Sequence, residues 1–209
     1  MFRDRYDAAE QLARALVKYA GRKDVIILAI PRGALRIGQV LHERLGAPLD
    51  IIVTKKIPHP MSEEYAIGAV GPGGEYFVDA LASADVPPAY IEGHRKRLEA
   101  AVEEKYVRYR GRRPKPDFKG KTVIIVDDGI ATGSTMLAAI HVVRKQQPAK
   151  VVVAVPVGPP DSVARIAREA DETVCLLTPD LFFAIGQFYE NFAQVEDEEA
   201  IAILERCRG

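Results

Sequence analysis

The chain has 209 residues, 48% of them apolar, which is enough to bury one substantial core with room for a subdomain. Its 29 Lys and Arg residues equal its 29 Asp and Glu residues in number, and this neutral balance argues against a dedicated nucleic-acid-binding surface, which is usually basic. No apolar run reaches membrane length, and the N-terminal stretch lacks the apolar core of a signal peptide. The two cysteines have no metal-ligand spacing. We therefore expect a cytoplasmic protein that does not contact membranes.

Hydrophobic periodicity and turn residues predict strands that alternate with helices along the chain. The strands are predicted over 25–30, 49–53, 123–126, 151–155 and 173–177. The helices are predicted over 7–19, 34–45, 88–110, 133–145 and 162–170. This order is typical of the α/β class, so we expect a doubly wound, mostly parallel five-stranded sheet with ligands outside the carboxyl ends of its strands.

About seventy residues separate the second strand from the third, which is too many for a plain crossover, so we treat 54–121 as an insertion. Its first part is rich in Pro and Gly and predicts a mobile loop or hairpin over the site, with 58–70 as a candidate lid. Its second part predicts the long helix and a basic tail made of Arg108, Arg110, Arg112 and Arg113. Such a charge run is usually a solvated face, although it could also contact a phosphate.

The most informative stretch is 123–136, which reads VIIVDDGIATGSTM. Four apolar residues predict a buried strand, and Asp127 and Asp128 follow at its carboxyl end. A Gly-rich turn with hydroxyl side chains then opens a helix, whose free N–H groups and partial positive charge favour an anion. The two acids suit sugar hydroxyls, directly or through Mg²⁺. An ordinary strand-to-helix turn would need neither the paired acids nor the second glycine.

This stretch resembles the signature that binds 5-phosphoribosyl-1-diphosphate (PRPP) in type I phosphoribosyltransferases: four apolar residues, two acidic ones and a short turn ending in TGxT. A stand-alone group of phosphoribosyltransferase-like proteins is similar over nearly the whole chain, in FRDRYDAA, the PRG turn, AIGAV, VDDGIATGSTM and GQFYENF. The resemblance implies a single phosphoribosyltransferase domain over 1–209. It also implies a small, hood-like C-terminal lobe over 178–209 and a homodimer.

The resemblance assigns roles to the residues of these turns. The turn at 30–33 resembles the family's diphosphate loop, which often contains a strained or cis peptide, expected here next to Arg32. The implied PRPP-binding residues are Arg32, Gly33, Lys55, Lys56, Asp127, Asp128, Gly129, Ile130, Ala131, Thr132, Gly133, Ser134 and Thr135. A surface arginine and a solvated pair of lysines are the structural alternatives for the cations, and one of the two lysines is expected to be functional.

The implied catalytic residues are Asp127, Asp128, Lys56 and Glu64, and the two aspartates are also the expected Mg²⁺ ligands. Glu63 and His59 are alternatives to Glu64 for proton transfer from the lid, and all three could be plain loop residues.

The implied reaction is the Mg²⁺-dependent transfer of a 5-phosphoribosyl group from PRPP to a nucleobase or other amine acceptor, with release of diphosphate. The competing hypothesis is a PRPP- or nucleotide-binding regulator that does not catalyse transfer. Ala131 replaces an Asp found in oxopurine-type members, which argues against a hypoxanthine or guanine enzyme, and adenine-type members share the Ala-Thr-Gly. Five aromatic residues over 182–192 could line a flat acceptor or simply pack the C-terminal lobe.

Overall fold

The computed structural model describes residues 1–207, except for the side chain of Glu64. Within this part, the strands are β1 (Val25–Ala29), β2 (Leu49–Ile51), β3 (Lys55–His59), β4 (Ser62–Val70), β5 (Tyr76–Val78), β6 (Thr122–Val126), β7 (Lys150–Val157) and β8 (Glu172–Leu177). The α-helices are α1 (Arg5–Ala15), α2 (Ala34–Leu45), α3 (Pro88–Arg110), α4 (Ser134–Arg144), α5 (Pro160–Ala167) and α6 (Asp197–Arg206). Among these described helices, none combines the length and apolarity needed to cross a bilayer.

Five strands form one parallel sheet in the order β2-β1-β6-β7-β8, which confirms the predicted doubly wound α/β fold. The chain runs outward from β1 to β2 and then returns to β6 on the other side of β1. The strand order therefore reverses between β1 and β6. In open α/β sheets, ligands bind in the crevice at the carboxyl ends of the strands on either side of such a reversal.

Helices cover both faces of the parallel sheet. In β1, Ile27 belongs to the core that includes α1, α2 and α6, whereas Leu28 belongs to the core that includes α4. Neighbouring residues of a strand point to opposite faces, so burial on both sides requires the continuous apolar runs found in β1 and β6. Each fully buried side chain of this size stabilises the fold by about 1.5–3 kcal/mol, which makes the sheet a firm support for the turns at its edge.

The insertion consists of a second, antiparallel sheet followed by the long helix α3. The small sheet has the order β3-β4-β5, so the predicted lid over 58–70 is a hairpin. It packs against α4 on one side and against α3 on the other. The helix α3 has the bounds that the sequence predicts.

The N-terminal and C-terminal segments pack together next to β7 and β8. Phe2 forms an isolated parallel bridge with Tyr189, and the two ring centres lie 5.4 Å apart. Phe182 and Phe188 stack at 5.3 Å, whereas Phe183 is 88% exposed. Packing is therefore the observed role of most of these aromatic side chains. The helix α6 lies apart from them, in the core with α1 and α2.

The interpretation of the basic tail as a solvated face is wrong for Arg110. Its Nε lies 2.6 Å from Asp50 Oδ1, and the two side chains are only 8% and 11% exposed. Its remaining donors reach the carbonyl oxygens of Arg113 and Pro114. This pair ties the end of α3 to β2, and a buried pair is costly to break because one charge is left without a partner.

Replacing Arg110 by alanine is expected to lower the free energy of unfolding by about 3–5 kcal/mol, because the Asp50 carboxylate stays buried without a cation. Urea denaturation measures this change. The matched control is Arg112→Ala at an exposed position of the same tail, which is expected to change the stability by no more than about 0.5 kcal/mol. Equal stability of the two variants would contradict the structural role of Arg110.

Candidate functional site

Two turns meet at the carboxyl ends of β1 and β6. The turn after β1 contains Pro31, Arg32 and Gly33, and the peptide bond between Pro31 and Arg32 is cis, which confirms the expectation at Arg32. A Cβ atom added to Gly33 would lie 2.1 Å from Asp128 Oδ2, in the turn after β6. The close packing of the two turns therefore requires a residue without a side chain at this position.

The turn between β6 and α4 surrounds a small cavity of about 140 Å³. Its backbone bends at Gly133, whose φ of +75° is a conformation that glycine adopts without strain. The hydroxyl oxygens of Thr132 and Ser134 lie 3.2 Å apart. The residues that line the cavity are Asp127, Gly129, Ile130, Ala131, Thr132, Gly133, Ser134, Thr135, Met136 and Ile185. The residues of the predicted phosphate turn thus form one continuous wall of this cavity.

Several backbone N–H groups of this turn are free to bind an anion. Within the part of the chain that the structure describes, those of Ala131, Thr132, Gly133 and Thr135 have no hydrogen-bond partner. Free N–H groups at the start of a helix, together with the helix dipole, favour a phosphate. Ile130 was predicted to bind the ligand as well. Its N–H instead donates to a carbonyl oxygen of β7 at 2.8 Å and is not free.

The helix α5 holds the outer side of the same turn. The hydroxyl of Ser162 donates to the carbonyl oxygen of Ala131 at 2.7 Å, and the guanidinium of Arg165 donates to the carbonyl oxygen of Thr132. These contacts occupy backbone acceptors that would repel an anion. They also fix the turn in place before any ligand binds.

The paired acids after β6 have different surroundings. The carboxylate of Asp128 accepts hydrogen bonds from Arg5 Nε at 2.8 Å and from Arg5 Nη2 at 2.7 Å, and the Arg5 side chain is only 5% exposed. Asp127 lines the cavity, its Oδ1 accepts a hydrogen bond from the backbone N–H of Asp128 at 2.8 Å, and among the described residues no cation lies within ion-pair distance of its carboxylate. Burial, and then the negative charge of Asp128, raise the pKa of Asp127. Asp127 is therefore the acid open to a ligand, whereas a ligand would share Asp128 with Arg5.

Sequence reasoning missed Arg5, the first residue of α1. Its Nη1 donates to the carbonyl oxygen of Ala193 at 2.7 Å, and its guanidinium carbon lies 3.8 Å from the centre of the Phe192 ring. The hydroxyl of Tyr189 donates to the backbone oxygen of Asp128 at 2.7 Å. Arg5 and Asp128 are 123 positions apart, so no local pattern connects them.

The predicted cations lie on two different sides of the small sheet. Lys55 and Lys56 are neighbours on β3, so their side chains point to opposite faces. Lys56 lines a second cavity, of about 290 Å³, between the small sheet and α4. Lys55 shares the face of β3 on which Ile57 packs against α3, and Tyr109 of α3 contacts the same Asp197 carboxylate as Arg32. Lys55 is therefore the lysine grouped with Arg32, and the predicted catalytic residue Lys56 belongs to the neighbouring cavity.

The residues predicted to transfer a proton lie on the lid hairpin. The side chain of Glu64, the predicted catalytic residue of the lid, is outside the described part of the structure. Glu63 is exposed, and His59 Nε2 lies 3.3 Å from Asp85 Oδ1. The described side chains at the tip of the hairpin thus include one histidine that already has a carboxylate partner.

Within the described residues, no three His, Cys, Asp or Glu side chains come together as a metal site. Mg²⁺ often needs only one or two protein carboxylates, since waters and substrate phosphates supply the other ligands. A carboxylate at Asp127, without a cationic partner and next to a phosphate turn, fits that mode of binding. The predicted Mg²⁺ ligands Asp127 and Asp128 stay a prediction.

The phosphoribosyl transferase domain family matches residues 3–192, and the chain therefore belongs to this family. Two Mycobacterium tuberculosis proteins, each named "Putative phosphoribosyl transferase", are 41% identical over 209 residues. That match covers 99% of this chain and 47% of each relative, so the chain spans about half the length of these curated relatives.

Two further comparisons identify similar proteins. The crystal structure of the protein TT1426 from Thermus thermophilus is 40% identical, covers 100% of this chain and 99% of its own, and superposes with a TM-score of 0.93. A ribose-phosphate pyrophosphokinase from Thermococcus kodakarensis is 34% identical over 114 residues, covering 47% of this chain and 40% of the relative. The fold of the whole chain is thus shared with a protein whose structure has been solved.

Replacing Gly33 by alanine is expected to lower the free energy of unfolding by about 1–3 kcal/mol, because the new Cβ would overlap the Asp128 carboxylate. Gly93→Ala is the control, since a Cβ in that position of α3 meets no atom within 4 Å. This control is expected to raise stability by about 0.5–1 kcal/mol, as alanine favours a helix. Chemical denaturation measures the change in the free energy of unfolding of each variant. A stabilised Gly33→Ala protein would refute the close contact between the turns.

Proposed function

We propose that the protein transfers a 5-phosphoribosyl group from PRPP to a nitrogenous acceptor, with Mg²⁺ present and with release of diphosphate. The observation that supports this most is the spacing of charge along the crevice. The turn after β6 has free N–H groups and shares a cavity with Asp127, and Gly33, next to Arg32, packs against the neighbouring Asp128. A sugar with a phosphate at one end and a diphosphate at the other matches this order.

In the proposed complex, the turn after β6 binds the 5-phosphate through backbone N–H groups and the hydroxyls of Thr132 and Ser134. Asp127 accepts hydrogen bonds from the ribose hydroxyls. The turn at Arg32 and Gly33 stabilises the negative charge that grows on the leaving diphosphate as the bond to C1 breaks. The two bound ends hold C1 in one position for the acceptor, which reduces the entropy that the reaction must lose.

Asp127, with Asp128, is the proposed Mg²⁺ ligand, and the cation would neutralise charge on the departing diphosphate. The Arg5 contact constrains Asp128, because a cation and a guanidinium would then share the same carboxylate. Arg5 holds Asp128 in place and also connects it to the C-terminal segment through Ala193. The proposed role of Arg5 is therefore to position Asp128.

The acceptor is proposed to be a nucleobase or another amine. Ala131 supports an acceptor other than hypoxanthine or guanine. The hairpin over 58–70 is proposed to exclude water, the competing nucleophile, and Glu64 and Lys56 are its proposed catalytic groups. We also propose that the protein is a homodimer in the cytoplasm. The names of the relatives support only phosphoribosyl transfer in general.

A PRPP- or nucleotide-binding regulator without catalysis is the second candidate. The observation that favours it is the ion pair between Arg5 and Asp128, which reduces the acidic groups that are open to a substrate and its cation. Binding of PRPP is expected of the transferase and of a PRPP-binding regulator, and only turnover separates these two.

Calorimetry should detect PRPP binding in the presence of Mg²⁺, and a coupled assay should detect diphosphate release when bases and small amines are added. Turnover with any acceptor supports the transferase. Binding of PRPP without diphosphate release on the whole panel would favour the regulator. The absence of PRPP binding would refute both the transferase and a PRPP-binding regulator.

The variant Asp127→Asn is expected to weaken PRPP binding about tenfold or more, since it removes a charged acceptor from the ribose and from the cation. Its thermal stability should not fall, because the change removes a buried negative charge that is next to another one. Asp117→Asn, at an exposed position, is the control and should bind PRPP normally. Asp128→Asn is a poor test, because it also leaves Arg5 buried without a partner. Unchanged PRPP affinity in Asp127→Asn would exclude the proposed role of this acid.

A further inference from the structure

A group of basic side chains surrounds the turn after β1, and only two of them come from the segments that resemble the family's diphosphate site. Arg32 comes from the turn itself and Lys55 from β3. Lys105 and Arg108 come from α3, which packs against β3 and α6. The long helix of the insertion thus brings additional positive charge to the crevice.

Lys105 lies on the side of α3 that faces this turn. Tyr109 is one helical turn further along the same face, and its hydroxyl donates to Asp197 Oδ1 at 2.5 Å. Arg32 Nη1 lies 3.3 Å from the same carboxylate oxygen. Lys55 lies on the face of β3 that packs against α3. Three elements that are distant in sequence therefore bring their cations together.

The acids around this cluster do not balance its positive charge. Asp197 already contacts Arg32, Arg108 and Tyr109, and Glu196 lies 3.8 Å from Arg32. Among the described residues, no carboxylate lies within ion-pair distance of Lys105 or Lys55.

The environment of Lys105 disfavours its own charge. Burial, and then the charges of Arg32 and Lys55, lower the pKa of Lys105, although Asp197 acts in the opposite direction. A half-buried ammonium group that faces other cations is stabilised when an anion binds between them.

We propose that Lys105 is a binding residue for the diphosphate of the donor and that it acts together with Arg32 and Lys55. This inference rests on the proposed function, because it assigns a further contact to the same substrate. A diphosphate at the turn after β1 carries several negative charges within a few ångströms. Charge-assisted hydrogen bonds from an ammonium group at its side would be strong in this partly buried place.

The test compares two ligands that occupy different ends of the site. Calorimetry of Lys105→Gln with inorganic diphosphate is expected to give a Kd about tenfold or more above that of the natural protein, the loss typical of one charge-assisted contact. Ribose 5-phosphate contains no diphosphate, so its Kd should stay unchanged. Lys105→Arg keeps the charge and should retain most of the affinity for diphosphate.

The matched control is Lys96→Gln, on the same helix, where the lysine side chain is 70% exposed. This variant should bind both ligands as the natural protein does. A diphosphate Kd that changes less than about twofold in Lys105→Gln, or an equal loss for both ligands, would overturn the role of Lys105. In either case the proposed function stands as long as the natural protein binds PRPP. A natural protein that binds neither PRPP nor diphosphate would overturn both proposals.

Discussion

The contact between Arg5 and Asp128 is the interaction on which the arrangement of the site depends. It connects the start of α1 to the turn after β6, and it lies directly against Gly33 in the turn after β1. Arg5 also reaches Ala193, so the C-terminal segment is fixed by the same guanidinium. A buried charge needs a partner, and here each partner comes from a different part of the chain. The crevice keeps its shape because these parts cannot separate without exposing an unpaired charge.

The charges along the crevice follow from this arrangement. Arg5 occupies the carboxylate of Asp128, whereas Asp127 lines the cavity, and the raised pKa of Asp127 reflects burial beside a second acid. The turn after β6 provides free N–H groups beside Asp127, and Gly33, next to Arg32, packs against the neighbouring Asp128. In the proposed complex, the two anionic ends of the ligand face positive groups, and a carboxylate lies only near its middle. In the proposed complex, this arrangement accounts for the binding of phosphates next to two aspartates.

Local patterns predicted the elements well where the signal was strong and short in range. The bounds of α3 and the position of the phosphate turn came from helical periodicity, glycines and hydroxyls. The prediction was wrong for Arg110, because a charge run looks the same in sequence whether it is solvated or paired with a distant acid such as Asp50. It also missed Lys105, whose neighbours near Arg32 are brought close only by the packing of α3 against β3 and α6.

The sequence by itself determined the class of fold, the order of its elements and the turn that suits a phosphate, because these depend on periodicity and on residues adjacent in the chain. Only the tertiary structure decided that Asp127 and Asp128 have different surroundings, that Lys55 rather than Lys56 accompanies Arg32, and that Arg5 belongs to the site. The physical reason is that charge pairing and burial are set by side chains that meet in space. The partner of Asp128 lies 123 positions away, beyond the reach of any local pattern.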